Sequence, residues 1–173
     1  MQHWSLDPHS AAATAEAWLG SLGGEGFAAQ ALEGLNTAGL RAASWSVYEL
    51  PSGRPPVLHL SASTGVPDTT RDCFRVYAER LYGADHSFDA VAPGARGLLR
   101  MHADEAPSAD HRDAIYRRHR VLERLSVAAR AADGSLLALN LYRHEHQGRF
   151  GAAAVEAFAQ QAPWLLALVQ RSE

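Results

Sequence analysis

Two runs of alternating residues, VLERLSVAARA over 121–131 and SLLALNLYRH over 135–144, meet at Asp133-Gly134. A period of two marks a strand, because successive side chains leave opposite faces. Asp-Gly between two such runs provides the positive φ of a tight hairpin turn. A second pair has the same form. RAASWSVYEL over 41–50 alternates, Pro51-Ser52-Gly53 turns it, and PVLHLSA over 56–62 returns. Hairpins near both ends of a sheet predict a mainly antiparallel sheet. A short strand around Leu98–His102 brings it to five or six strands.

Elsewhere the apolar period lengthens to that of a helix. Residues 10–22 carry Ser10 as a cap and a stripe of Ala15, Trp18, Leu19 and Leu22, stopped by Gly23-Gly24. Residues 25–38 place Phe27, Ala31, Leu32 and Leu35 on one side before Gly39. Residues 67–82 start at a proline, end at Gly83 and align Phe74, Tyr77, Ala78 and Leu81. Pro107-Ser108-Ala109-Asp110 opens a helix to about Arg118. Residues 151–171 close the chain with Val155, Phe158, Ala162, Leu165, Leu166 and Val169, and Pro163 predicts a kink or break there. Residues 84–96 read as irregular. The order predicts an α+β fold: a central antiparallel sheet flanked by helices on both faces. The first, second and last helices take one face, and the middle helices with the irregular stretch take the other.

At 173 residues the chain is read as a single domain, 1–173. Sixteen basic and nineteen acidic residues leave a net charge of -3, which gives no strong field for nucleic acid, a membrane or a polyanion. The one cysteine, Cys73, excludes an intramolecular disulfide and fits a reducing compartment. The polar start MQHWSLDPHS has no signal-peptide core. The apolar run Trp164 to Val169 falls short of the roughly 20 residues of a membrane span. The expected location is therefore cytoplasmic.

Strand parity separates two chemistries. One face collects Trp45, Val47, Leu125, Val127, Leu137, Leu139 and Leu141, an apolar surface for the terminal helices. The other collects Ser44, Ser46, Tyr48, Arg124, Ser126, Asn140 and Tyr142, joined by His59 and Ser61 if the second strand has the matching register. The middle of the chain offers Phe74, Tyr77, Phe88, Met101 and Tyr116 to cover it. Aromatic walls around a few polar groups make a small-molecule pocket. The other reading is a solvated face, as antiparallel sheets often have. The candidate ligand-binding residues are Ser44, Ser46, Tyr48, Tyr77, Arg124, Ser126, Asn140 and Tyr142. Arg124 is the candidate anchor for an anionic ligand.

LLRMHADEAP (98–107), VLERLSVAARAADGSLLALNLYRHEHQGRF (121–150) and APWLLALV (162–169) together resemble the N-terminal sensor half of proteobacterial LuxR-type helix-turn-helix transcription regulators. That half is GAF-like, a relative of PAS. The likeness covers about the last 75 residues well and the preceding ones more loosely. It implies a GAF/PAS-like sheet, a small-molecule ligand, a role in transcription control and a homodimer paired through terminal helices. In that group a helix-turn-helix follows the last helix. This chain ends at Arg171-Ser172-Glu173, so DNA contact is expected only through such an absent module. The resemblance assigns neither ligand nor cofactor. A ligand-free dimerisation or interaction module is the alternative, with Trp18 and Trp164 in the interface.

Other chemistries find weaker patterns. His144 and His146 share a face by alternation, with His59 or His102 as a third metal ligand, but neither HExxH nor CxxC occurs. Cys73 suits a thiol sensor, a haem ligand or a buried structural position. A small enzyme built on His102, Asp104 and Glu105 lacks a nucleophile motif such as GxSxG, and no enzymatic activity is expected. Arg112, Arg117, Arg118, His119, Arg120 and Arg124 form a basic cluster, with Asp110, Asp113 and Glu123 interleaved as on a self-paired solvated face. Gly23-Gly24-Glu25-Gly26 lacks a following lysine and is a linker rather than a phosphate loop.

Overall fold

The computed structural model describes residues 1–5, 26–37 and 39–172. The helix expected over 10–22, with Trp18 and Gly23-Gly24, lies outside the described residues. Strands β1 (Gln2–Ser5), β2 (Ser44–Leu50), β3 (Val57–Ser63), β4 (Arg96–His102), β5 (Val121–Arg130) and β6 (Leu136–His144) form one antiparallel sheet. Its order is β1-β4-β5-β6-β2-β3, so the Asp133-Gly134 hairpin supplies the two central strands. Gly134 has φ 89°, the conformation that this turn requires.

The register places the apolar parity on one face. Val47 lies opposite Leu139, and Trp45 opposite Leu141. Leu125 also pairs with Leu141, and Val127 with Leu139. Helices α1 (Phe27–Thr37) and, at the end of the chain, Ala152–Ser172 pack on this face. Phe27, Leu32 and Leu35 from the first, and Phe158, Leu165 and Leu166 from the last, join all seven predicted sheet residues in one core. Each fully buried large apolar side chain contributes roughly 1.5–3 kcal/mol. The Trp45 indole donates to the Ala28 carbonyl at 2.7 Å, fixing α1 against the sheet.

The opposite face holds a smaller core, with Tyr48, Leu99, Met101, Ala128 and Ala138 from the sheet against Phe88, Val91 and Tyr116. Arg130 ties the irregular segment down. It donates to the Val91 carbonyl at 2.7 Å and the Phe88 carbonyl at 2.8 Å. The polar face is therefore covered and not solvated: Ser44, Ser46, Tyr48, Arg124, Ser126 and Asn140 are all 5% exposed or less.

The cover is helical, but neither of its helices keeps the uniform α-helical form expected over 67–82 and 107–118. Helix α2 (Thr70–Val76) passes into a π-helical turn at Tyr77–Leu81 and a 3₁₀ turn at Tyr82–Ala84. Helix α3 (Ala109–His111) starts where the Ser108 hydroxyl accepts from the His111 amide at 3.1 Å, and then widens into a π-helical turn at Arg112–Arg117. The closing helix, α4 (Ala152–Ser172), runs through Pro163 as one element. The expected break is absent, although proline gives the Ala159 carbonyl no amide partner. By length and composition alone, 152–170 is apolar enough to cross a membrane. Its buried stripe lies on the sheet instead.

Three further readings change. The polar N-terminus contributes the edge strand β1, with Gln2 opposite Arg100 and Trp4 opposite Leu98. A bulge between Val47 and Tyr48 shifts β3, pairing Tyr48 with Leu58 and skipping His59. His59 therefore leaves the polar-face series and bonds Glu49 Oε2 at 3.2 Å, whereas Ser61 sits opposite Ser46 as the register required. Glu123 does not join the basic cluster. It is fully buried at the other face, where it accepts from Arg100 Nε (3.1 Å), Arg149 Nε (2.7 Å) and the Phe150 amide (3.0 Å).

Candidate ligand-binding site

The cover does not fill the polar face completely. Between α2, the two π-helical turns and strands β2, β5 and β6 lies a cavity with about 60 Å³ open to the centres of water-sized groups. Its floor is polar because strand alternation puts Ser44, Ser46, Tyr48, Arg124 and Tyr142 on this side. Its roof is largely apolar and aromatic, from Phe74, Tyr77, Ile115 and Tyr116. Tyr77 opens one π-helical turn, and Ile115 and Tyr116 lie in the other. π-Helical turns recur at functional sites because the extra residue re-aims side chains.

Six of the eight predicted residues line this space: Ser44, Ser46, Tyr48, Tyr77, Arg124 and Tyr142. Ser126 and Asn140 support the floor from the side. The Ser126 hydroxyl donates to Asn140 Oδ1 at 2.6 Å, and Asn140 Nδ2 donates to Ser46 Oγ at 3.3 Å. Ser46 then shares a 3.0 Å bond with the Tyr142 hydroxyl. The chain of bonds fixes which way the serine and tyrosine hydroxyls face. Sequence reading missed Thr69, Thr70, His111, Ile115, Val121 and His144 as lining residues, and two of its expected cover residues, Phe88 and Met101, pack in the smaller core without lining the cavity.

Arg124 is 3% exposed. One guanidinium nitrogen, Nη2, donates to Ser87 Oγ at 3.2 Å, and the group lies 5.2 Å from the centre of the Phe88 ring. Its Nε is buried without a partner. Asp85 reaches it only through Ser87, whose amide (2.9 Å) and hydroxyl donate to Asp85 Oδ1. The Tyr77 hydroxyl donates to Asp85 Oδ2 at 2.8 Å. Burial opposes ionisation of Asp85, but Arg124 and these bonds outweigh it and hold its carboxyl below the ordinary value. Burial raises the phenols of Tyr48, Tyr77, Tyr116 and Tyr142, so all four are neutral hydrogen-bonding groups.

His111 is also 3% exposed, and its Nδ1 is buried without a partner. Burial, and then the Arg124 charge, depress its pKa to about 4, so it is neutral at pH 7. Burial pushes the Cys73 thiol up to about 12, leaving no thiolate at neutral pH. Among the described residues the metal reading of His144 and His146 finds no third ligand. His144 closes β6 and its Nε2 lies 3.3 Å from Ser44 Oγ, whereas alternation ends in the 3₁₀ turn at Glu145–Gln147 that carries His146. Among the described residues no group of three histidine, cysteine or carboxylate side chains is arranged to hold a metal ion. His102, Asp104 and Glu105 are engaged locally. The Asp104 amide donates to His102 Nδ1 at 3.1 Å, and the His102 amide donates to Glu105 Oε1 at 3.1 Å. The basic cluster is split. Arg117 pairs with Asp113 at 3.3 Å, and Arg118, His119 and Arg120 border an open cleft that shares Thr69 and His144 with the cavity.

No protein-family model matches the chain, and no curated protein matches it. Solved structures do. The VqsR ligand-binding domain from Pseudomonas aeruginosa is similar with a TM-score of 0.62 at 18% identity, over 91% of this chain and 92% of that one. CepR2 from Burkholderia cenocepacia, an N-acylhomoserine lactone dependent LuxR-family transcription factor, is similar with a TM-score of 0.56 at 16% identity, over 91% and 89%. A GAF domain/HD domain protein from Geobacter sulfurreducens is similar with a TM-score of 0.50 at 14% identity, over 90% and 97%. The chain thus has the GAF-like α+β fold that it shares with the ligand-binding domains of LuxR-type regulators.

Proposed function

We propose that this domain is a sensing module of transcription control, in which a small molecule binds between the polar sheet face and its helical cover. The observation that carries this reading is the cavity itself, where a largely buried polar floor is incompletely packed. A cover built to be inert fills such a space, because every void forfeits packing energy. The likeness to CepR2, whose activity depends on an N-acylhomoserine lactone, supports a ligand-responsive role for the fold. Binding holds the cover closed over the ligand and passes the resulting shift of the cover to an attached or associated output, with no chemical conversion of the ligand.

A second reading has one observation in its favour. The 60 Å³ open in the cavity is well below the roughly 150 Å³ that admits benzene in an engineered apolar cavity. A vestigial pocket filled by its own side chains, in a module that pairs with itself or another protein, fits that volume. Native mass spectrometry of the protein purified from cells separates the two. A retained small-molecule adduct that Ile115→Trp removes supports sensing. A clean dimer with no adduct, together with an unchanged melting temperature across a metabolite panel, favours the interaction module.

A further inference from the structure

We infer that the cavity is built for a small monocarboxylate, with its carboxylate on Arg124 and its apolar body against the aromatic roof. This rests on the sensing reading above and names the ligand class for that site.

The argument starts from an incomplete hydrogen-bond set. A guanidinium has five N–H donors in a rigid fork and is always charged. Arg124 is 97% buried, and its Nε has no partner. Asp85, through Ser87, and the Phe88 ring offset part of the cost of burying this charge, but the Nε donor has no protein acceptor. A carboxylate oxygen suits the Nε donor, and its second oxygen would take over the Ser87 Oγ or Met101 Sδ contact of Nη2, the nitrogen on the same edge of the fork. A second polar atom without a protein partner belongs to another residue that lines the cavity, His111. Neutral His111, in the tautomer protonated at Nδ1, adds one more donor.

Charge decides between anions. Asp85 is ionised and linked to Arg124 through Ser87. A dianionic phosphate would bring excess negative charge beside that carboxylate in a water-poor space. Arg124 and Asp85 already cancel, so a monoanion leaves one net negative charge there and a dianion two, and the monoanion carries the smaller electrostatic cost. The roof of Phe74, Tyr77, Ile115 and Tyr116 has little to offer a highly polar ligand and suits a short aliphatic chain or a ring. At 60 Å³ a ligand of benzoate size requires the π-helical turns to shift, whereas a short-chain acid requires less.

The test is isothermal titration of the full chain at pH 7 with benzoate and butyrate, each against its neutral amide, benzamide and butyramide. The inference expects each acid to bind roughly tenfold or more tightly than its amide, the scale of a charge-assisted hydrogen bond. It also expects Arg124→Gln, shown to be folded by circular dichroism, to remove that preference. Ile115→Trp should weaken the acids by filling the cavity from the roof. Amides that bind as well as the acids, or acids whose affinity survives Arg124→Gln or Ile115→Trp, overturn the assignment. The acid–amide comparison on the unaltered chain decides the matter even if Arg124→Gln does not fold. Amides that bind as tightly as the acids and lose that binding in Ile115→Trp would overturn the carboxylate alone and leave sensing intact. No binding by any of the four probes overturns the carboxylate assignment, and the adduct and melting measurements then decide sensing separately.

Discussion

Two buried titratable groups show how single residues set conditions on this fold. His111 has a pKa of about 4 when folded and an ordinary value near 6.5 when unfolded. Between those values the unfolded chain holds the extra proton, so stability rises with pH through this window. It is complete above about 6.5 and is lost as pH falls toward 4. The difference is about 2 kcal/mol between pH 7 and pH 5. Urea denaturation at the two pH values should show that loss in the native chain and most of it absent in His111→Gln; equal losses in both would rule out His111 as the cause. Glu123 is the opposite case, a buried carboxylate satisfied by two arginines and an amide. Glu123→Gln should cost about 2 kcal/mol, because the guanidiniums of Arg100 and Arg149 lose their buried counter-charge and the new amide NH2 faces a donor where an oxygen accepted. A urea midpoint that does not move would mean that Arg100 and Arg149 find equivalent partners without it. Of the residues around the cavity, Arg124 was legible because strand parity fixes direction. His111 was not, because it closes a three-residue helix just before a π-helical turn, where the helical period gives no stable phase.

Elements were legible in proportion to how much local chemistry specifies them. The hairpin at Asp133-Gly134 carries its signal in two residues. The Ser135 amide and hydroxyl both donate to Asp133 Oδ1, at 2.9 and 2.6 Å, and Gly134 takes the left-handed conformation. Gly134→Ala should cost roughly 1–2 kcal/mol, since an L side chain there meets its own backbone. Nothing lies within 4 Å of a β-carbon at this position, so the penalty is conformational and not steric crowding from neighbours. A thermal midpoint equal to that of the parent chain would contradict the turn geometry. Strand β1 lacked such a signal. Four residues at a sheet edge, with one partner strand, need no regular alternation to be held. The bulge at Val47 and Tyr48 was equally silent, since one extra residue in β3 changes pairing without changing composition. The π-helical turns were hidden because Tyr77 and Leu81 have the spacing of an ordinary helix stripe, and both are buried either way.

Across the whole molecule the two faces of the sheet differ in how they are packed, and that difference predicts where the protein moves. The apolar face joins five strands to α1 and α4 in one continuous core. The polar face is closed by short helical pieces around a cavity, with Arg130 holding the irregular segment through backbone carbonyls. Local opening has its lowest free energy where few apolar groups are buried together. Amide exchange should therefore be fastest over 70–84 and 109–117, and slowest in β5 and β6, which have a bonded strand on each side. Separating the cover exposes a smaller core than separating α4 from the sheet, so the ranking follows from the fold alone. Ligand binding adds a second condition. A molecule held between floor and roof contacts both layers, so its occupancy stabilises the closed form by mass action and slows exchange selectively in the cover. Benzoate at saturation should protect 70–84 and 109–117 while leaving α1 and the apolar-face half of α4 unchanged. Exchange in the cover as slow as in β5 without ligand would contradict the cavity as a mobile site. Protection spread evenly over both faces would instead place the ligand's effect on global stability and remove the basis for a signal carried by the cover.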